Sequence, residues 1–133
     1  MKAPALSAKA NDVYRMPADS GPLRKAAAGL RWSVADLHGT GSSRTVCRAM
    51  AGALDFPGSF GENWDALNDA LQDMSWLKSG GSVLQLSGVA ALAPDMRDTL
   101  LEILASAAAF WKRRGRVFIV LADDDDLPIL PQR

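Results

Sequence analysis

Between Asp55 and Asp73 the chain carries five carboxylates, Asp55, Glu62, Asp65, Asp69 and Asp73, and not one Lys or Arg. The whole chain is neutral, with 15 basic and 15 acidic residues, so the concentration of acid belongs to this segment alone. Carboxylates gathered in this way could serve as general acid and base, hold a hard cation, or receive a partner's Lys or Arg. At about 100° per residue on a helix, Glu62, Asp65, Asp69 and Asp73 share an arc of about 80°. Trp64, Leu67, Leu71 and Met74 fall on the opposite side, which must dock on the core, so the acids point outward. Acid–base work at neutral pH needs an apolar pocket that raises one carboxyl above the other. An exposed face offers none, so an enzyme is disfavoured and no catalytic residue is assigned.

An acidic outer face is commonly no more than a solvated one, and acids in a first turn complement the helix dipole. Two details weigh against that reading. Asp65 and Asp69 stand at i, i+4 with like charge, which costs a few tenths of a kcal/mol unless a cation relieves it. The Lys or Arg partners that a solvated helix carries three or four residues away are missing. The preceding loop, "FPGSFG", adds Gly58 and Gly61 for close backbone approach, Pro57 to stiffen the turn, and Phe60, expected to be held outward at the helix entrance. Aromatic and carboxylate groups together suit a site that takes Arg or Lys from a partner.

The elements that must position this segment can be read on either side of it. "LRWSVADL" (30–37) alternates as a strand, with Leu30, Trp32 and Val34 against Arg31, Ser33 and Ala35. Ser42 or Ser43 can cap a helix running to Leu54 on Val46, Met50 and Leu54. The acidic helix is expected over "ENWDALNDALQDM" (62–74), and "KSGGS" (78–82) then breaks the chain before the strand "SVLQLSG". Pro94 opens a long helix whose Met96, Leu100, Ile103, Leu104, Ala107, Phe110 and Trp111 share one face. "RVFIVLAD" is nearly continuous in apolar residues, as a strand buried on two sides would be. Strands alternating with helices give crossovers, hence an α/β fold with a small parallel sheet. Upstream, Pro4, Pro17 and Pro22 prevent a continuous helix. "VYRM" (13–16) is read as a short extended piece, "LRKAAAGL" (23–30) as a short helix, and the first few residues as disordered.

At 133 residues and 48% hydrophobic, one domain with a proper core is expected. Neutral charge argues against nucleic acid as a direct partner. One cysteine, Cys47, and one histidine, His38, allow neither a disulfide framework nor an all-Cys/His zinc site. No secretory signal and no apolar run of membrane-spanning length is seen, so a cytoplasmic location is the default. Cys47 reads as a small buried residue and His38 as a surface or capping one. Asp123–Asp126 could hold a divalent ion, but a solvated cap after the last strand is favoured. Lys112, Arg113, Arg114 and Arg116 are explained by the negative end of a helix dipole rather than by RNA.

"FGENWDALNDAL" resembles the signature of the barstar family of intracellular inhibitors of secreted guanyl-specific ribonucleases. The resemblance covers residues 30 to 122, with "VYRMP" and "DMSWL" similar to a longer branch of the family. It implies a two-layer fold with a three-stranded parallel sheet against three to four helices, formed by residues 29–126. Residues 1–28 would be a partly disordered extension and 127–133 a tail. It implies a protein without cofactor or metal, monomeric when free, that plugs the active site of a basic, barnase-like secreted ribonuclease. Asp65 and Asp69 fall on the family's two acidic contact positions, and Asp69 on the one that mimics substrate phosphate. Phe60, Gly61, Asn63 and Trp64 fall on contact positions of the loop and helix start, and Asn68 on the helix face. Glu62 and Asp73 would reinforce the field. Departures are Asn68 in place of a tryptophan, Ser59 of a tyrosine and Ala70 of a cysteine. The alternative is a module of the same fold that binds a basic partner other than a ribonuclease.

Overall fold

The computed structural model describes residues 6–58, 60–77 and 80–131. The disorder expected of residues 1–5, the loop position Ser59 and the first two residues, 78–79, of the expected break at 78–82 lie outside them, while 81 and 82 already belong to a strand.

Four strands form one parallel sheet in the order β1-β4-β3-β2, with β1 Val13–Arg15, β2 Arg31–Asp36, β3 Gly81–Ser87 and β4 Val117–Ala122. The α/β class and the parallel sheet are as expected. There are four strands rather than three, because the "VYR" piece pairs along β4, Val13 opposite Val120 and Arg15 opposite Ala122. Helices α2 (Ser43–Ala53), α3 (Trp64–Leu71) and α4 (Pro94–Arg113) pack on one face. There Leu84 and Leu86 of β3 and Phe118 and Val120 of β4 meet Met50, Leu67, Leu71, Leu100 and Leu104, all buried. The expected stripe of α4 is the inner one: Leu100, Leu104, Ala107 and Trp111 are buried, with Met96, Ile103 and Phe110 packed at its margins.

The other face is covered as well. β1 and β2 lie on opposite edges of the sheet, so the chain between them must cross it, and α1 (Gly21–Ala26) is carried over the second face. Leu23 and Ala27 thus reach Val83, Ile119 and Leu121, joined by Tyr14 and Leu130. This explains the continuous apolar run of β4, whose residues alternate between two buried faces. On β2 the alternation has the expected period, but the smaller set, Ser33, Ala35 and Leu37, faces the helices. Trp32 joins the second-face cluster and Val34 is 49% exposed. Buried Asn11 fixes the entry into β1. Its amide donates to the carbonyls of Ala108 (3.3 Å) and Arg116 (2.7 Å), and its oxygen accepts from the Phe118 N–H at 2.8 Å. All its polar atoms are thereby satisfied inside the fold.

The acidic run after β4 is tied into the fold as well as being the solvated cap that its composition suggests. Asp123 accepts from the N–H groups of Gly88 (2.7 Å) and Val89 (2.9 Å). Gly88 itself sits at φ 87, where a Cβ would lie 2.7 Å from the His38 nitrogen, so only glycine fits. Asp124 is buried and lies 3.6 Å from the Arg97 guanidinium of α4. Asp123, Asp125 and Asp126 are exposed, as a solvated cap would be. No group of three or more metal-ligating side chains is found among the described residues. At the end of α4 the Arg114 guanidinium lies 3.6 Å from the Phe110 ring centre and donates to the Phe110 carbonyl at 3.2 Å, a cation on the helix's last carbonyls as its dipole favours. No helix among the described residues is long and apolar enough to cross a membrane.

Candidate functional site

The loop between α2 and α3 begins at Asp55, whose φ of 53° turns the chain back over the end of α2. The Phe56 N–H bonds the Ala51 carbonyl at 2.9 Å, which keeps its ring inward. Phe60 packs edge-on against Phe56, ring centres 4.7 Å apart, and Trp76 does so from the other side at 5.4 Å. Phe60 is therefore part of a half-buried aromatic group and is not held outward as expected. Trp76 is fixed further by its indole N–H, which donates to the Leu54 carbonyl at 2.9 Å.

Asn63 caps α3: its backbone is extended and its side-chain oxygen accepts from the Ala66 N–H at 2.8 Å. That is the ordinary work of an N-cap Asn, worth about 1 kcal/mol to the helix. Trp64 follows, half-buried and packed toward the core. The helix spans only Trp64–Leu71, shorter than the expected 62–74. Buried Met74 adopts φ 46°, a left-handed turn that ends the helix and drops its side chain into the core. Trp111 of α4 covers this end, donating to the Leu71 carbonyl at 2.7 Å. Asn68 is half-buried, its amide oxygen 3.4 Å from the Gln72 amide.

The four acids expected on one helical arc therefore divide. Asp65 and Asp69 lie on α3, exposed, and Asp73 lies just beyond it, also exposed. Among the described residues, none of these three makes an ion pair. Glu62 precedes the cap and is satisfied within the chain by Arg48 and Arg44 of α2, the second at 3.4 Å. The Arg48 guanidinium beside it holds its carboxyl below the usual carboxylate range. Likewise Asp55 takes the Arg31 guanidinium at 2.8 Å. The expectation that the segment's acids lack cations inside the protein is thus corrected for Glu62 and Asp55. Their partners come from another helix and a strand, where counting i+3 and i+4 neighbours cannot find them.

Between α3 and the aromatic group lies an open hollow of about 360 Å³. Asp69 and Asp73 border it, Phe60, Pro57 and Trp76 wall it, and Gly61, Ala66 and Ala70 leave its floor low. Spacing pointed to Phe60, Gly61, Asp69 and Asp73. It did not point to Trp76, Ala66 or Ala70, whose place depends on the left-handed turn at Met74.

Neither of the other reactive residue types forms a competing centre. Cys47 is fully buried beneath α2, and burial, with the Glu62 charge second, pushes its thiol up to about 11. His38 is exposed, its Nδ1 2.7 Å from Asp36, whose carboxyl the His38 backbone N–H and ring hold below its usual range.

A parallel α/β sheet with α2, α3 and α4 on one face, presenting on the short capped α3 carboxylates that make no ion pair among the described residues, is a framework for recognition. The family model described as barstar (barnase inhibitor) matches residues 31–123, well over half of the chain. The chain belongs to the barstar family. No curated protein matches it. The matched span opens at β2 and closes one residue after β4, so β1, α1 and the tail that seal the second face lie outside it.

Proposed function

We propose that the protein inhibits a basic secreted ribonuclease, laying the exposed face of α3 and the loop before it over the enzyme's cationic active site. The observation that carries this reading is the trio Asp65, Asp69 and Asp73, left without cations among the described residues in a chain that pairs Glu62 and Asp55 internally. Membership of a family described as barnase inhibitors supports the choice of target. Asp69, at the rim of the hollow, would enter the enzyme's cationic centre and hold it by charge-assisted hydrogen bonds. Asp65 and Asp73 would add the long-range attraction that speeds encounter. Phe60 and Gly61 border the same surface, while Asn63 and Glu62 serve it by fixing the helix start and its approach to α2. The protein does no chemistry in this role and acts inside the producing cell as a monomer.

The test is a titration of the chain into a secreted guanyl-specific ribonuclease while RNA cleavage is followed. One equivalent of inhibitor is expected to abolish cleavage. Asp69→Ala is expected to weaken inhibition about 10- to 100-fold, the range for losing one or two hydrogen bonds to a charged group. Undiminished cleavage at several equivalents overturns the reading, and retained binding to other basic proteins would then move the target outside the ribonucleases.

A further inference from the structure

We propose that the outer edge of β2 is a pairing site for a second copy of this chain, the two strands running antiparallel about a twofold axis at Val34 so that two sheets join into one. The proposal goes beyond the inhibitor reading and does not depend on it. The pair belongs to the concentrated protein, and the diluted chain acts singly.

The two edges of the sheet are finished differently. At β1 the tail closes the ladder: the Arg15 N–H donates to the Pro128 carbonyl at 2.8 Å, and Arg15 bridges to Ile129. β2 has β3 on one side, and no strand among the described residues lies on the other. Just past β2, the Leu37 N–H donates to the Ser87 carbonyl at 2.8 Å. Alternate residues of a parallel strand turn both backbone groups the same way, so Ser33 and Ala35 share the direction of Leu37, toward β3. Trp32, Val34 and Asp36 turn theirs outward. Such edges are commonly blunted by proline, by lysine or by a bulge. β2 has none of these, and between its terminal Arg31 and Asp36 it carries no charge.

The side chains select the occupant. By alternation Trp32, Val34 and Asp36 share the second face of the sheet, and Val34, in mid-strand, is 49% exposed. Antiparallel pairing sets outward-turned residues against one another, each pair exchanging two backbone hydrogen bonds. With the axis at Val34, that residue meets its own copy, and Trp32 of each chain meets Asp36 of the other. Charges match in this register. The exposed Arg24 lies 4.3 Å from the centre of the Trp32 ring and makes no ion pair with a carboxylate among the described residues. The bonds that Asp36 accepts from His38 and Ser87 all fall on Oδ1, which leaves Oδ2 open. Pairing carries that oxygen toward the other copy's Arg24, at both ends of the interface. A basic segment of another protein would satisfy Asp36 and leave Arg24 unanswered, whereas a second β2 answers both. Two strands bury little, below about 1,200 Å², so the pair is weak and reversible.

The experiment is sedimentation of the full chain from about 10 μM to about 1 mM, the range for a weak interface, with backbone amide exchange followed at both ends. The mean mass is expected to rise toward that of two chains. Exchange at Trp32, Val34 and Asp36 is expected to slow with concentration while Ser33 and Ala35, already bonded to β3, stay unchanged. Val34→Lys sets two cations face to face at the axis on an exposed position, so it is expected to remain monomeric with an unchanged unfolding midpoint. Asp36→Asn is expected to weaken pairing about threefold or more, through loss of two exposed ion pairs. A chain that stays monomeric throughout, pairing that survives Val34→Lys, or protection that does not alternate along β2 would overturn the proposal, and undiminished pairing in Asp36→Asn would overturn its register.

Discussion

Two stretches of this protein are rich in aspartate, and they are put to opposite use. In Asp123–Asp126 the acids are contiguous, and the fold consumes the first two: Asp123 ties down Gly88 and Val89, and Asp124 is buried beside Arg97. In the 62–73 segment the acids are spaced three and four apart. Among the described residues only the first, Glu62, finds its cation inside, and Asp65, Asp69 and Asp73 stay exposed. Density of acid therefore says little about function. Contiguous aspartates after a strand can turn back into the fold, because successive side chains point different ways and backbone N–H groups lie close by. Aspartates at helical spacing share one outward face, and the fold must bring cations to them or leave them open.

This contrast can be broken by substitution. Asp123→Ala strands two backbone N–H groups, one on buried Gly88, so a loss of about 2 kcal/mol or more in stability is expected, read by urea unfolding, with inhibition intact in the folded protein. A variant that kept full stability would show that this cluster is not structural. Asp69→Ala is expected to do the reverse. The weakened inhibition described above should come with a stability change within about 0.5 kcal/mol, as for an exposed site that makes no ion pair among the described residues. Raising the salt concentration should slow association of the wild type with its target and leave dissociation nearly unchanged, because exposed charges are screened over about 10 Å at 0.1 M. Salt-independent association would mean that the open acids do not steer.

Glu62 sits between the two classes and gives a subtler test. Its folded pKa lies below the usual 4.5, so its contribution to stability is present above that value and lost as pH falls through the lowered pKa. Urea unfolding of wild type and Glu62→Gln should differ near pH 7 and converge as the pH falls through the lowered pKa. Persistence of the difference in acid would assign the effect to packing instead of charge. The smallest effect concerns Cys47. With its thiol pushed up to about 11 and fully buried, it should resist alkylation at pH 8 until the protein is unfolded. Rapid labelling of the native chain would reveal opening beneath α2.

Much of the framework was legible in the sequence because periodicity reports burial directly. The stripe of α4, the two-faced run of β4 and the Ser42 cap of α2 all stand where their residues predict them. The errors near the candidate site share a physical origin. Spacing alone overextends α3 because buried Met74, not a glycine or proline, takes the left-handed turn that ends it. The pairing of Glu62 is invisible to local spacing because Arg44 and Arg48 approach it from α2. Trp76 passed unnoticed because its position depends on both of the turns, at Asp55 and at Met74. The fourth strand was anticipated as a short extended piece, yet its place against β4 depends on Asn11, whose three partners lie about a hundred residues away.

That last pairing sets an order of assembly. Of the four strands, β1 leaves the ribosome first, and its neighbour in the sheet, β4, leaves last. Until β4 is made, Val13 and Tyr14 have no ladder to join, and the apolar underside formed by Val83 waits for Ile119 and Leu121. The span from β2 to α4 can meanwhile gather over its nearer contacts, since short loops close at lower entropic expense than long ones. The sheet is completed only when the earliest residues of the fold return to the latest, so a nascent chain carries α3 and its open aspartates before it has a closed body to hold them rigid.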